Sequence, residues 1–87
     1  MKIKDGFVLR KVGKEQVVVA IGPAAALLNG LIKLNDSGVA LWQALEHGAD
    51  KQELANVLVE KYAVSQEQAE QDVNAFLVPL LQLGCIE

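Results

Sequence analysis

The spacing of apolar residues changes near residue 35. Before it they alternate or run together; after it they recur every three to four positions. "FVLRKV" at 7–12 alternates imperfectly, like a strand with one wet face. "QVVVAI" at 16–21 is β-branched and apolar on both faces, which suits a central, covered strand. The short "GKE" turn between them predicts a hairpin. Gly22-Pro23 ends the second strand, because proline cannot donate to a ladder. "AAALLN" at 24–29 is ambiguous: its alanines favour a helical turn, but it is too short for a helix stable by itself. After Gly30, "LIKL" reads as a third strand, with Ile32 and Leu34 on one face and Leu31 and Lys33 on the other. The expected strands are 6–12, 16–21 and 30–34.

Three helices follow, expected at 37–47, 51–62 and 66–83. The first places Leu41, Trp42 and Leu45 on one stripe. Asn35, Asp36 and Ser37 can each cap it, and the pattern does not choose among them. Gly38 lacks a Cβ and lets the first turn pack closely, while Gly48 suits the exit. The second helix opens with Asp50 and Glu53 in capping-box spacing and carries Leu54, Val57, Leu58 and Tyr62. The third opens with Ser65 and Gln68, a second such pattern, and carries a core stripe of Ala69, Val73, Phe76, Leu77 and Leu80 before Gly84 stops it. Pro79 inside that helix predicts a bend or an earlier end. The order β-β-β-α-α-α predicts a single α+β domain over 1–87, a three-stranded antiparallel sheet covered by three helices. With the hairpin beside them, the last two helices make a winged-helix-turn-helix-like body.

Composition sharpens this picture only in part. With 87 residues, 52% of them apolar, the chain can build one small core. Residues 1–35 hold six bases against two acids, and residues 36–87 hold two bases against nine acids, so a net charge of −3 conceals a basic half and an acidic half. The single cysteine, Cys85, rules out an intrachain disulfide. "MKIKDGF" has no apolar run behind its lysines, and no run approaches the ~20 residues of a membrane span. A cytoplasmic protein that engages no membrane is expected.

Catalytic chemistry is nearly absent from the pattern. The lone His47 falls where a helix ends, Cys85 has no His or Cys neighbour, no metal-ligand spacing exists, and "GPAAALLNG" lacks the ending of a phosphate loop. No enzyme activity, metal or cofactor is expected. Nucleic-acid binding is disfavoured as well: helix 66–83 contains no Lys or Arg and presents Glu67, Glu70 and Asp72.

What the third helix does contain is an apolar surplus. Val78, Leu81 and Cys85 lie about 40–100° beyond Leu77 on the helical wheel, on a flank that is polar nearer the N-terminus. Either this helix end wraps onto the sheet, or it forms an apolar groove beside a strand edge. The third strand is the candidate edge, with unpaired N–H and C=O groups ready for an extended peptide.

"LNDSGVALWQAL", residues 34–45, resembles the LN-x-[ST]-G-x-x-[IL]-W-x-x-L signature of the PqqD family, with Leu34, Asn35, Gly38, Leu41 and Trp42 at its signature positions. Members are small peptide chaperones of pyrroloquinoline quinone biosynthesis, related to the recognition elements of ribosomally made, post-translationally modified peptides. The resemblance extends from "KIKDGFVLRKV" to "FLVPLLQLGCIE". It implies a non-catalytic adaptor that binds the leader of a precursor peptide as an added strand and presents it to a maturase, often a radical SAM enzyme. Carried over here, the strand is Gly30, Leu31, Ile32, Lys33 and Leu34, and the cleft wall is Leu77, Val78, Leu81 and Cys85. Trp42 is expected to anchor the first helix in the core. Two other readings remain: a self-associating module, such as a homodimer, and a winged-helix DNA regulator, against which the acidic third helix speaks.

Overall fold

The computed structural model describes residues 1–28 and 30–87. β1 (Phe7–Val12), β2 (Glu15–Ala20) and β3 (Leu31–Leu34) form an antiparallel meander in the order β1-β2-β3. α1 (Asp36–Glu46), α2 (Lys51–Tyr62) and α3 (Gln66–Leu83) follow. The ambiguous segment after β2 is a 3₁₀ turn over Gly22–Ala26; Asn29, at the end of that segment, lies outside the described residues.

Register explains which face of the sheet is covered. Leu9, Val18 and Ile32 stand opposite one another across the three strands, and this row packs with the helices. The next row, Arg10–Val17–Lys33, points the other way. Val17 is nevertheless 1% exposed. Arg10 and Lys33 flank it across the two neighbouring strands, where long side chains can lay their stems over the valine and keep their charges in water. The expectation that β2 is covered on both faces therefore holds at Val17, with two flexible side chains serving in place of a second layer.

Trp42 is fully buried, with Leu41, Leu45, Leu54 and Leu77 around it in one cluster with the sheet. Its indole N–H has no hydrogen-bond partner among the described residues, a cost of about 1–3 kcal/mol that burial of so large an apolar surface outweighs.

The joint between β3 and α1 is resolved as an Asn35 cap. The Asn35 Oδ1 accepts from the Gly38 N–H at 2.8 Å and from the Ser37 hydroxyl at 3.0 Å. A Cβ on Gly38 would stand 3.1 Å from that Oδ1 and 3.4 Å from the Leu34 Cβ, so glycine lets cap and strand end close on each other. Asp50 and Glu53 form the full reciprocal box at α2. At α3 only half of the expected box forms: Ser65 accepts from the Gln68 N–H, while the Gln68 amide donates forward to Asp72 at 2.9 Å.

α3 runs unbroken to Leu83 in spite of Pro79. Pro79 and Ala75, whose carbonyl loses its i+4 donor, are both exposed, so the freed acceptor is not trapped in the core. The helix closes with the Gly84 N–H on the Leu81 carbonyl and the Cys85 N–H on that of Leu80, a Schellman motif. That turn folds Cys85 inward. Its thiol is buried and donates to the Leu80 carbonyl at 3.3 Å. Desolvation raises its pKa, opposed by the backbone hydrogen bond and by Lys4. Residues 85–87 then pair with residues 2–4: Lys4 N–H to the Cys85 carbonyl at 2.9 Å, Glu87 N–H to the Lys2 carbonyl at 2.8 Å.

Three outcomes follow from this packing. Trp42→Ala should cost about 3–5 kcal/mol, most of the stability of a domain this size, with Trp42→Phe far milder; denaturant melts monitored by circular dichroism check both. Ala63, which ends α2 at φ 54, occupies a left-handed conformation that suits glycine, so Ala63→Gly should stabilise by about 0.5–1 kcal/mol. Because Cys85 holds its proton more tightly folded than unfolded, its contribution is complete at neutral pH and falls as pH rises through and above the normal thiol range. A thiol probe at pH 7.5 should accordingly label the native chain far more slowly than the denatured one, with the difference narrowing at alkaline pH.

Candidate functional site

Strand β3 is an edge. Among the described residues only β2 pairs with it in the sheet, and α3 stands across a groove from it. α3 packs principally on α2, which leaves an open groove of about 270 Å³ between itself and β3. Ile32, Lys33 and Leu34 form one wall; Ala75, Phe76, Pro79, Leu80 and Leu83 form the other. The lining is almost wholly hydrocarbon.

The alternation of β3 sorts its side chains. Ile32 and Leu34 are half-buried on the helix side. Leu31 and Lys33 are exposed on the other. The Lys33 ammonium sits 3.2 Å from a Glu15 carboxylate oxygen, with the two side chains 66% and 56% exposed. A pair so open to water contributes little to stability, so either partner can exchange it for another charge. Gly30 precedes the strand at φ +110, a conformation that favours glycine.

The wall contributed by α3 differs from the expected one. Leu77 and Cys85 are 1% and 0% exposed; both are core residues, Leu77 through the helix stripe and Cys85 through the Schellman turn. Val78 and Leu81 are half exposed, but neither lines the groove. They lie about 160° around the helix from Phe76 and Leu83, respectively, at 100° per residue. The groove is therefore on the other side of the core stripe. Phe76, assigned to the core by spacing, is only partly buried and belongs to this wall. Phe76, Pro79 and Leu83, at steps of three and four, were a second stripe visible in the sequence.

Among the described residues, no three of His, Cys, Asp and Glu come together to hold a metal ion, and no helix is long and apolar enough to cross a membrane. His47 lies at the C-terminal cap of α1, away from the groove lining. The arrangement offers a strand edge, an apolar trough and one mobile positive charge: means of binding an extended chain.

Comparison with known proteins bears on the family and the fold. The family model described as coenzyme PQQ synthesis protein D (PqqD) matches residues 15–86. No curated protein matches the chain. Two solved structures are similar in fold. TbiB1 in complex with the TbiA(beta) leader peptide has a TM-score of 0.78 at 25% identity, covering 100% of this chain and 95% of its own. A lasso peptide synthetase B1 complexed with the leader peptide has a TM-score of 0.73 at 21% identity, covering 93% and 89%. With the family model spanning β2, β3, the Asn35 joint and all three helices, this chain belongs to the PqqD family.

Proposed function

We propose that this chain is a non-catalytic adaptor that binds the leader region of a ribosomally made precursor peptide as a fourth strand along β3 and presents the rest of that peptide to a modifying enzyme. The observation that carries this reading is the apolar groove lying directly beside an unpaired strand edge. The two similar structures, each a complex with a leader peptide, support it.

The chemistry divides between backbone and side chains. A four-residue edge supplies a handful of backbone hydrogen bonds, each worth about 0.5–1.5 kcal/mol net and equal for nearly every sequence. Discrimination must come from the trough. A peptide strand pairing with β3 points alternate side chains toward α3, where Ile32, Leu34, Phe76 and Leu83 receive apolar groups worth about 1.5–3 kcal/mol each when fully buried. The intervening side chains emerge beside Leu31 and Lys33, where an acidic residue would replace Glu15 as the partner of Lys33.

The modifying enzyme is the less constrained half of the proposal. Family membership favours a radical SAM maturase, and the similar structures favour a lasso-type pathway. Co-purification with each enzyme encoded beside the gene separates these, and a self-associating module is recognised by a tight dimer in light scattering that peptide does not dissociate.

The groove itself is tested with leader-length peptides from short reading frames flanking the gene. Binding should shift the backbone amides of residues 31–34 in NMR titrations, and the absence of binding by every such peptide would sink the proposal. Phe76→Asp should abolish binding, because it sets a charge among hydrocarbon. Val78→Asp and Leu81→Asp, on the opposite flank, should leave it within about twofold while preserving the fold, since changes at exposed sites seldom exceed ~0.5 kcal/mol. Lys33→Glu should weaken binding of a leader with an acidic residue at the facing position by about two- to fivefold.

A further inference from the structure

The groove does not stop where β3 ends. At Ala75 and Phe76 it opens into a second cavity of about 390 Å³, bounded by the N-terminal turn of α1 and by α2 and α3. That cavity shares Asn35, Ser37, Leu58 and Asp72 with a third, also about 390 Å³, which reaches Tyr62 and Val64 at the end of α2. The three adjoin through these shared residues, and their character changes from one to the next. The β3 part is hydrocarbon. The far part has an apolar floor of Leu58, Tyr62 and Val64 and two carboxylates, Asp36 and Asp72, in its walls. No base lines that part.

We propose that this second cleft binds a segment flanking the β-paired stretch of the same peptide, and that it selects a basic residue next to an aromatic or large aliphatic one. The inference rests on the reading of the β3 groove as a peptide site, and extends it from a strand edge to a two-part site with opposite preferences. Adjacency supplies the occupant: Ala75 and Phe76 line both the groove and the cleft, so a peptide leaving β3 at its Leu34 end comes within reach of it. Charge supplies the preference. The helix α1 N-terminus contributes about half a positive charge there, already partly met by the Asn35 cap, against two carboxylates. The sum over the cleft is negative and stays so when Lys14, Lys33 and Glu15, which share a neighbouring depression with Asp36, are included, so a Lys or Arg is favoured and an acidic residue repelled. Tyr62, 40% exposed, and the half-buried Val64 offer the stem of that base, or the neighbouring aromatic, a surface to lie on.

The prediction also assigns a sense to the charge asymmetry of the chain. A leader bound across both parts should carry an acidic preference near Lys33 and a basic one beyond Leu34, so charge fixes the register that the uniform backbone bonds of the edge cannot.

The test selects from a displayed library of random peptides of about 16 residues, which at ~3.3 Å per residue exceed the 38 Å longest dimension of the molecule. Wild type should enrich peptides with apolar residues at alternating positions and a Lys or Arg on one side of them. The Asp36→Asn/Asp72→Asn variant should keep the alternating motif and lose the basic one; both residues are exposed, and a thermal melt confirms the fold. In titrations of a selected peptide, replacing its base by Gln should weaken binding to wild type about threefold and leave binding to the double variant unchanged, and Tyr62→Ala should weaken both peptides. Alternating peptides without a basic preference, or a preference that persists in the double variant, overturn the second cleft alone. Failure to select any alternating motif, or selection insensitive to Phe76→Asp, overturns the β3 groove and this inference with it.

Discussion

The bond from the Gly38 N–H to the Asn35 side chain governs the placement of the strand edge beside the groove. β3 is four residues long, lies at the edge of the sheet, and is held on one side only. A strand so short would fray if its C-terminal end were free. The cap fixes that end to the first turn of α1, and α1 is fixed in turn by the complete burial of Trp42 and Leu45. Gly38 makes the arrangement possible by admitting the Asn35 amide and Leu34 at distances a larger residue would disturb. The edge is thus rigid because it is tethered to the core through a side-chain cap, while its outer backbone groups remain open.

The second constraint is the phase of α3. Ala69, Val73, Leu77 and Leu80 commit one stripe to the core. With α3 bound chiefly to α2, its next stripe overhangs β3 without closing on it. The trough is a consequence of a helix that packs on its neighbour and leaves the strand uncovered. Pro79 belongs to that overhang, where the loss of a helical hydrogen bond is met on an exposed surface.

Much of this was legible in the residues. The β-branched runs, the Asp50 and Ser65 caps and the Trp42 stripe each state a local preference that tertiary packing respects, and the α+β order followed from them. The groove wall was legible only in outline. A helical wheel gives angles between side chains, but it does not say which side of the core stripe meets β3, because that depends on how α3 docks on α2. Val78 and Leu81 were apolar and available, and so were Phe76 and Leu83; only the docking distinguishes them. Cys85 differs for another reason: it lies two residues beyond the end of the helix at Leu83, and the left-handed Gly84 redirects it inward. Gln68 had two partners within reach, and chose Asp72 over its own cap.

The two stripes of α3 also separate inheritance from innovation. Residues that hold the domain together and residues that overhang β3 sit on the same helix; Ala69, Val73 and Leu77 serve only the core, Ala75 and Pro79 line only the groove, and Phe76, Leu80 and Leu83 do both. On the proposed peptide-binding role, a substitution at the exposed Pro79 reshapes the groove at less cost to folding than one at Phe76 or Leu83, which also pack against the core. On the proposed role, two copies of such a scaffold in one cell can be made to ignore each other's peptide by altering a single helical face.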